Sequence, residues 1–244
     1  MEQALTASDF AEYLSDDEIS KMAPLIDRLK TLEEQKTSQD NYLKFVKKIW
    51  PSFIEGKHHK IYADKLQKVA DGKIKRLIVN MPPRHTKSEF ASYLFPAWLM
   101  GKRPDLKIIQ ATHTAELAVG FGRKVKNLID SDDFRDIFPE IKLATDAKAS
   151  GRWSTNGGGE YYAVGVGGAL AGRGADLCII DDPVSEQDAL SPTSLDSIYE
   201  WYTSGPRQRL QPGGSIIIVM TRWGIKDLTA RVIAKQSEGG ADKW

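Results

Sequence analysis

Met81-Pro82-Pro83-Arg84-His85-Thr86-Lys87-Ser88 joins two segments of opposite character. Before it, Lys75-Arg76-Leu77-Ile78-Val79-Asn80 is a short β-branched run, a strand signal. After it, from about Lys87 to Met100, the pattern predicts a helix. A loop between a strand and a helix N-terminus points backbone N–H groups at one spot and suits an anion. In such a loop Lys87 would neutralise β- and γ-phosphate charge, and the Ser88 hydroxyl would ligate Mg²⁺. Pro83, Arg84, His85 and Thr86 would complete the cradle. The usual pattern has glycine just before the lysine, where backbone comes closest to phosphate, and this chain has Thr86 there. Taken alone, the segment fits equally a proline-led turn carrying a surface lysine.

Downstream, Leu177-Cys178-Ile179-Ile180 runs straight into Asp181-Asp182-Pro183. Paired carboxylates at a strand end are the expected second half of a nucleotide site. Asp181 would hold Mg²⁺, and Asp182 would orient and activate the attacking water. A third strand, Ser215 to Met220, ends at Thr221-Arg222-Trp223, where Thr221 could sense the γ-phosphate. Otherwise Thr221 is a helix cap lying rather far ahead of Asp227. Lys107 to Ala111 and Tyr161 to Val166 are two further strands. Helices are expected near 115–131, 195–203 and 227–236, with turns at Gly157-Gly158-Gly159 and Pro212-Gly213-Gly214. Strands apolar on both faces and alternating with helices imply an α/β fold, with a mostly parallel central sheet flanked by helices.

Upstream the charge is segregated. Residues 1–40 carry four Lys/Arg against ten Asp/Glu, and residues 41–88 carry twelve against three, although the whole chain is only +1. The first block is an acidic helical arm, with Ser15 or Asp16 a possible cap. The second is helical with breaks at Trp50-Pro51 and Gly56, and its basic excess suits either an anionic ligand or a solvated helix face. With 244 residues and one cysteine, the chain needs no disulfide framework and offers no cysteine-rich zinc site. No apolar run is long enough to span a membrane, and the first residues lack an export signal. Trp201-Tyr202 is expected in the core.

Four stretches in order carry a resemblance: residues 50–60 (Trp50-Pro51-Ser52-Phe53 through His58-His59-Lys60), Arg76 to His85, Asp181-Asp182-Pro183, and Met220-Thr221-Arg222-Trp223. Together they resemble the large terminase subunit of tailed bacteriophages over about residues 41–236. The resemblance implies a P-loop NTPase of the additional-strand class, with residues 1–40 as an N-terminal helical arm and 41–244 as the ATPase domain. It implies ATP and Mg²⁺ as cofactors and ATP hydrolysis coupled to moving double-stranded DNA into a procapsid. The implied partners are the portal protein and the small terminase subunit. The implied setting is the host cytoplasm, with a homo-oligomeric ring on the procapsid and a monomer in isolation. Arg84 would reach the γ-phosphate of its own subunit. Arg173, between Gly172 and Gly174, would be a finger given to a neighbouring subunit, or else a strand-edge salt bridge. His58 and His59 could line an adenine pocket, or be an exposed pair. The nuclease half of that family needs an acidic cluster for which this chain has no room, so the motor without the nuclease is expected. The competing expectations are another DNA-dependent motor such as a helicase, and a non-catalytic nucleotide-binding scaffold.

Overall fold

The computed structural model describes residues 16–146, 149–239 and 241–244. The first fifteen residues of the acidic arm lie outside the described residues, and with them Ser15, one of the two expected caps; Asp16, the other, is the first residue of the helix. Six strands form one sheet: Arg76–Asn80 (β1), Lys107–Thr112 (β2), Arg152–Ser154 (β3), Glu160–Gly165 (β4), Ala175–Asp181 (β5) and Leu210–Met220 (β6). Their order across the sheet is β1-β6-β5-β2-β4-β3. All pairs are parallel except β3 with β4 at the edge.

Period-two alternation sets the layers. On one face Leu177, Ile179, Ile217 and Val219 meet the helices Tyr42–Ile49 (α2), Lys57–Ala70 (α3), Phe95–Lys102 (α4), Ala115–Ile129 (α5) and Asp132–Ile137 (α6). On the other face Cys178, Ile180, Ile216, Ile218 and Met220 meet Pro192–Ser204 (α7) and Leu228–Lys235 (α8). Successive residues of β5 and β6 therefore enter opposite cores, as strands covered on both sides must. Trp201 and Tyr202 lie in the second core as expected. So does Cys178, whose thiol burial pushes up to about 12. Asp16–Asp40 (α1) is anchored by its C-terminal half: Gln35 and Gln39 donate to the Ile137 carbonyl, and Trp98 Nε1 donates to that of Ser38. Among the described residues, no helix is long and apolar enough to cross a membrane.

Three local expectations change. The helix after the phosphate-loop candidate opens as a π-helical turn, Glu89–Leu94, before α4. Pro212-Gly213-Gly214 lies inside β6 rather than before it, because the strand begins at Leu210 opposite Ala175 and the register shifts before Leu177. Gly213 there has φ 81°, a conformation open to glycine. The edge strand β3 and the short helix α6 were not anticipated; three residues are too few to show an alternation.

Candidate functional site

Parallel strands place their carboxyl ends at one edge of the sheet, where α/β proteins bind ligands. Asn80 at the end of β1 pairs with Met220, and Val219 pairs with Asp181 at the end of β5. The loop after β1, the Asp181-Asp182 pair and Thr221 are thereby gathered into one site, with β6 between the loop strand and the carboxylate strand.

Lys87 is only 6% exposed, and its Nζ lies 2.9 Å from Asp182 Oδ2. The other oxygen, Asp182 Oδ1, accepts the Thr221 N–H at 2.8 Å. Asp182 has φ 41°, a strained value for an L residue, and its own N–H donates to the Val219 carbonyl. The Thr221 hydroxyl donates to the Met81 carbonyl at 3.4 Å. Thr221 thus ties the end of β6 to both neighbouring strand ends. The cap of α8 is Asp227, whose carboxylate also pairs with Arg222.

Asp181 sits deeper, at 2% exposure. Its Oδ1 accepts from Ser88 Oγ at 3.0 Å and its Oδ2 from Ser92 Oγ at 2.7 Å. Gln110 Nε2 in turn donates to Ser92 Oγ. Burial pushes the carboxyl up to about 6; the Ser92 and Ser88 hydrogen bonds and Lys87 pull it down, and the neighbouring Asp182 raises it further. Among the described residues, no group of three or more His, Cys, Asp or Glu could hold a metal alone. A hydroxyl beside a carboxylate is nevertheless a hard-oxygen pair that fits Mg²⁺, a cation that takes its other ligands from water and phosphate.

The loop itself is bent by two residues in the left-handed region, Arg84 and Thr86, both at φ 61°. This explains why glycine is usual at the position of Thr86. A chain of hydrogen bonds holds the threonine. Gly56 N–H donates to His59 Nδ1 at 2.8 Å, His59 Nε2 lies 2.7 Å from Thr86 Oγ1, and Thr86 Oγ1 donates to the His85 carbonyl at 2.6 Å. His85 Nδ1 bonds the Pro83 carbonyl at 2.8 Å, and Tyr62 Oη donates to the Lys87 carbonyl at 2.9 Å. Burial lowers the His59 pKa, with His58 adding to the effect and Glu55 opposing it.

Of the residues singled out in the sequence, Pro83 to Ser88, Asp181, Asp182 and Thr221 converge. Arg84 and His85 are exposed on the loop. Arg173 stands apart: it precedes β5 at the end of that strand opposite Asp181. Its guanidinium lies 4.8 Å over the Tyr162 ring. His58 and His59 form a ring contact at 3.8 Å, with His85 6.1 Å from His58. The sequence alone did not single out Ser92, Gln110 and Tyr62. For Ser92 a signal existed, since it follows Ser88 by four residues and so shares its helix face. Gln110 and Tyr62 gave none.

No family model matches the sequence, and no curated protein matches it. The fold does have a solved counterpart. The large terminase of bacteriophage HK97 superposes with a TM-score of 0.52 at 12% identity, covering 78% of this chain and 38% of that one. This chain is thus an α/β protein with a candidate anion site at the carboxyl edge of its sheet. More particularly, its fold is terminase-like, and it spans well under half the length of the terminase it superposes on.

Proposed function

We propose that this chain is the ATPase motor domain of a viral terminase large subunit, hydrolysing ATP to drive double-stranded DNA into a procapsid. The observation that carries the proposal is the meeting of Lys87 and Ser88 with Asp181 and Asp182 at one sheet edge. The strand order supports the additional-strand P-loop class, since β6 lies between the loop strand and the carboxylate strand. Ser88 and Asp181 would hold Mg²⁺, which when bound neutralises phosphate charge. Lys87 would bind the β- and γ-phosphates. Asp182 would accept the proton of the attacking water, and Thr221, bonded to Asp182, would report the state of the site to β6. With both carboxylate oxygens of Asp182 engaged, Lys87 must turn toward the phosphates to free Oδ2 for water. Arg84 would reach the γ-phosphate of its own subunit, and Arg173 would serve the next subunit of a ring. The portal protein, the small terminase subunit and DNA are the partners this role requires, in the host cytoplasm at the procapsid.

Thermal unfolding with ATP and Mg²⁺ tests the site. At about a hundred times the dissociation constant, ligand adds about 2.7 kcal/mol to the wild type, and Lys87→Ala loses this shift. Equal shifts in both proteins would refute the phosphate loop. For the ring, Arg173→Ala and Lys87→Ala subunits are mixed, and activity that neither has alone is expected to return. Folded, assembling mutants that fail to complement would remove Arg173 from catalysis.

A further inference from the structure

Thr86 is a β-branched residue held at φ 61° one position before the site lysine. For such a residue this conformation is unfavourable and persists only where the surroundings hold it. The surroundings here are specific. The hydroxyl of Thr86 lies between His59 Nε2 at 2.7 Å and the His85 carbonyl at 2.6 Å. Because that carbonyl can only accept, the Thr86 proton points to it, and Thr86 Oγ1 is left to accept from His59. His59 Nδ1 already accepts the Gly56 N–H at 2.8 Å, so the ring's one proton in the neutral form sits on Nε2. The relay is consistent from end to end: Gly56 N–H to His59 Nδ1, His59 Nε2–H to Thr86 Oγ1, Thr86 O–H to His85 carbonyl.

The ring is placed by what surrounds it. His59 occupies the third position of α3, from which its side chain reaches back to the N–H of Gly56, as in half a capping box. A Cβ at Gly56 would lie 3.0 Å from the His58 ring and in ordinary contact, 3.4 Å, with His59 Nδ1. The face of His59 stacks on Phe90 at 5.3 Å, and Phe53 meets it edge-on at 4.8 Å. Phe90 belongs to the π-helical turn that follows the loop, and its N–H donates to the Thr86 carbonyl. The histidine therefore bridges α3 to both ends of the bent segment.

We propose that His59 is a positioning residue for the phosphate loop, holding Thr86 in the left-handed conformation that glycine would adopt unaided. Histidine and threonine act as one unit in place of the usual glycine. The consequence for nucleotide affinity rests on the phosphate-loop function proposed above; the clamp itself does not.

The test is a double-mutant cycle with two readouts. With ATP and Mg²⁺, His59→Ala in the wild-type background is expected to weaken binding about tenfold, the scale of one or two lost hydrogen bonds. In the Thr86→Gly background the same substitution is expected to change binding less than twofold, because glycine needs no clamp. Loss of packing on Phe53 and Phe90 alone would act alike in both backgrounds, and equal losses would overturn the proposal. In protein without nucleotide, thermal unfolding of the same four proteins should show the same inequality. Nitrogen NMR of histidine-labelled wild type should show His59 neutral with its proton on Nε2, and that signal should move in Thr86→Val. A proton on Nδ1, or no response to Thr86→Val, would overturn the clamp. These last measurements need no ATP, so a wild type that fails to bind ATP would refute the phosphate loop and leave the clamp to be decided on its own.

Discussion

The two halves of the site are built in opposite ways. The carboxylate half, at the end of β5, is a buried shelf: Asp181 is almost wholly enclosed, and Ser88 and Ser92 satisfy both of its oxygens. The loop half, after β1, is exposed from Pro82 to His85 and twice bent into the left-handed region. The shelf carries its cost as desolvation of a charge, the loop as backbone strain. A group that meets a small metal ion benefits from being fixed beforehand. A group that wraps an anion must leave its backbone N–H groups open to it. Substitutions in the shelf should therefore be read mainly in stability and metal dependence, and substitutions in the loop mainly in nucleotide binding.

Asp182, where the two halves touch through Lys87, should give the largest effect. Asp182→Asn is expected to leave ATP binding in place and lower the rate about 10²–10⁴-fold, since an amide cannot take the water's proton. Steady-state ATPase beside an equilibrium binding assay checks this. Normal turnover would move the base elsewhere, with Glu186 the next candidate.

Asp181→Asn sharpens the contrast within the shelf. The fold raises this carboxyl from 3.8 to about 6, so the folded state holds the proton more tightly than the unfolded chain does. Its contribution is full below about pH 3.8 and is lost as pH rises through about 6. Without metal, the variant should match the wild type near pH 4 and exceed it by about 2–3 kcal/mol at pH 7.5, as urea unfolding at the two values would show. Its stabilisation by Mg²⁺ and ATP should be lost. A variant less stable than wild type at pH 7.5 would mean that the carboxylate is compensated by groups beyond the two serines.

Ser92→Ala should be smaller and opposite in sign. It leaves one oxygen of Asp181 and the Gln110 amide without a partner, at a cost of about 1–3 kcal/mol. The pH range over which stability falls should also shift upward. Thr86→Ser should give the smallest change, because the hydroxyl stays and only the β-branch leaves a strained position; a gain of at most about 1 kcal/mol is expected. A loss of several kcal/mol there would show that the loop is as rigid as the shelf, and the contrast would fall.

The shelf's first carboxylate is legible because it closes a run of apolar residues that reads as a buried strand, and the loop's lysine because it stands between a β-branched run and a helical pattern. Alternation along β5 and β6 likewise announced a sheet covered on both faces. Long-range partners were less legible. Tyr62 reaches the Lys87 carbonyl, and Gln110 reaches Ser92, across separations that no local pattern encodes. The role of Thr86 was hidden for a related reason. Against the usual glycine it is a bare departure from pattern, and only the position of His59, 27 residues away in the chain, makes it a hydrogen-bonded substitute. Arg173 stands out in the sequence by its flanking glycines, which say that a side chain is free to project but not toward which edge of the sheet.

The π-helical turn between Ser88 and Phe95 changes how this chain lines up against an α-helical one. Such a turn closes its hydrogen bonds over five residues instead of four, so it contains one residue more than an α-helix covering the same arc. A relative that is α-helical throughout this stretch would match the chain only across a single-residue gap. Compared without the gap, every position of Phe95–Lys102 would face its neighbour's counterpart, about 100° around the axis. Buried positions would then be set against exposed ones immediately beside the most informative loop in the chain. Coordinates are indifferent to that frameshift, which is one way for a superposition to find a likeness of fold that letter-by-letter comparison passes over.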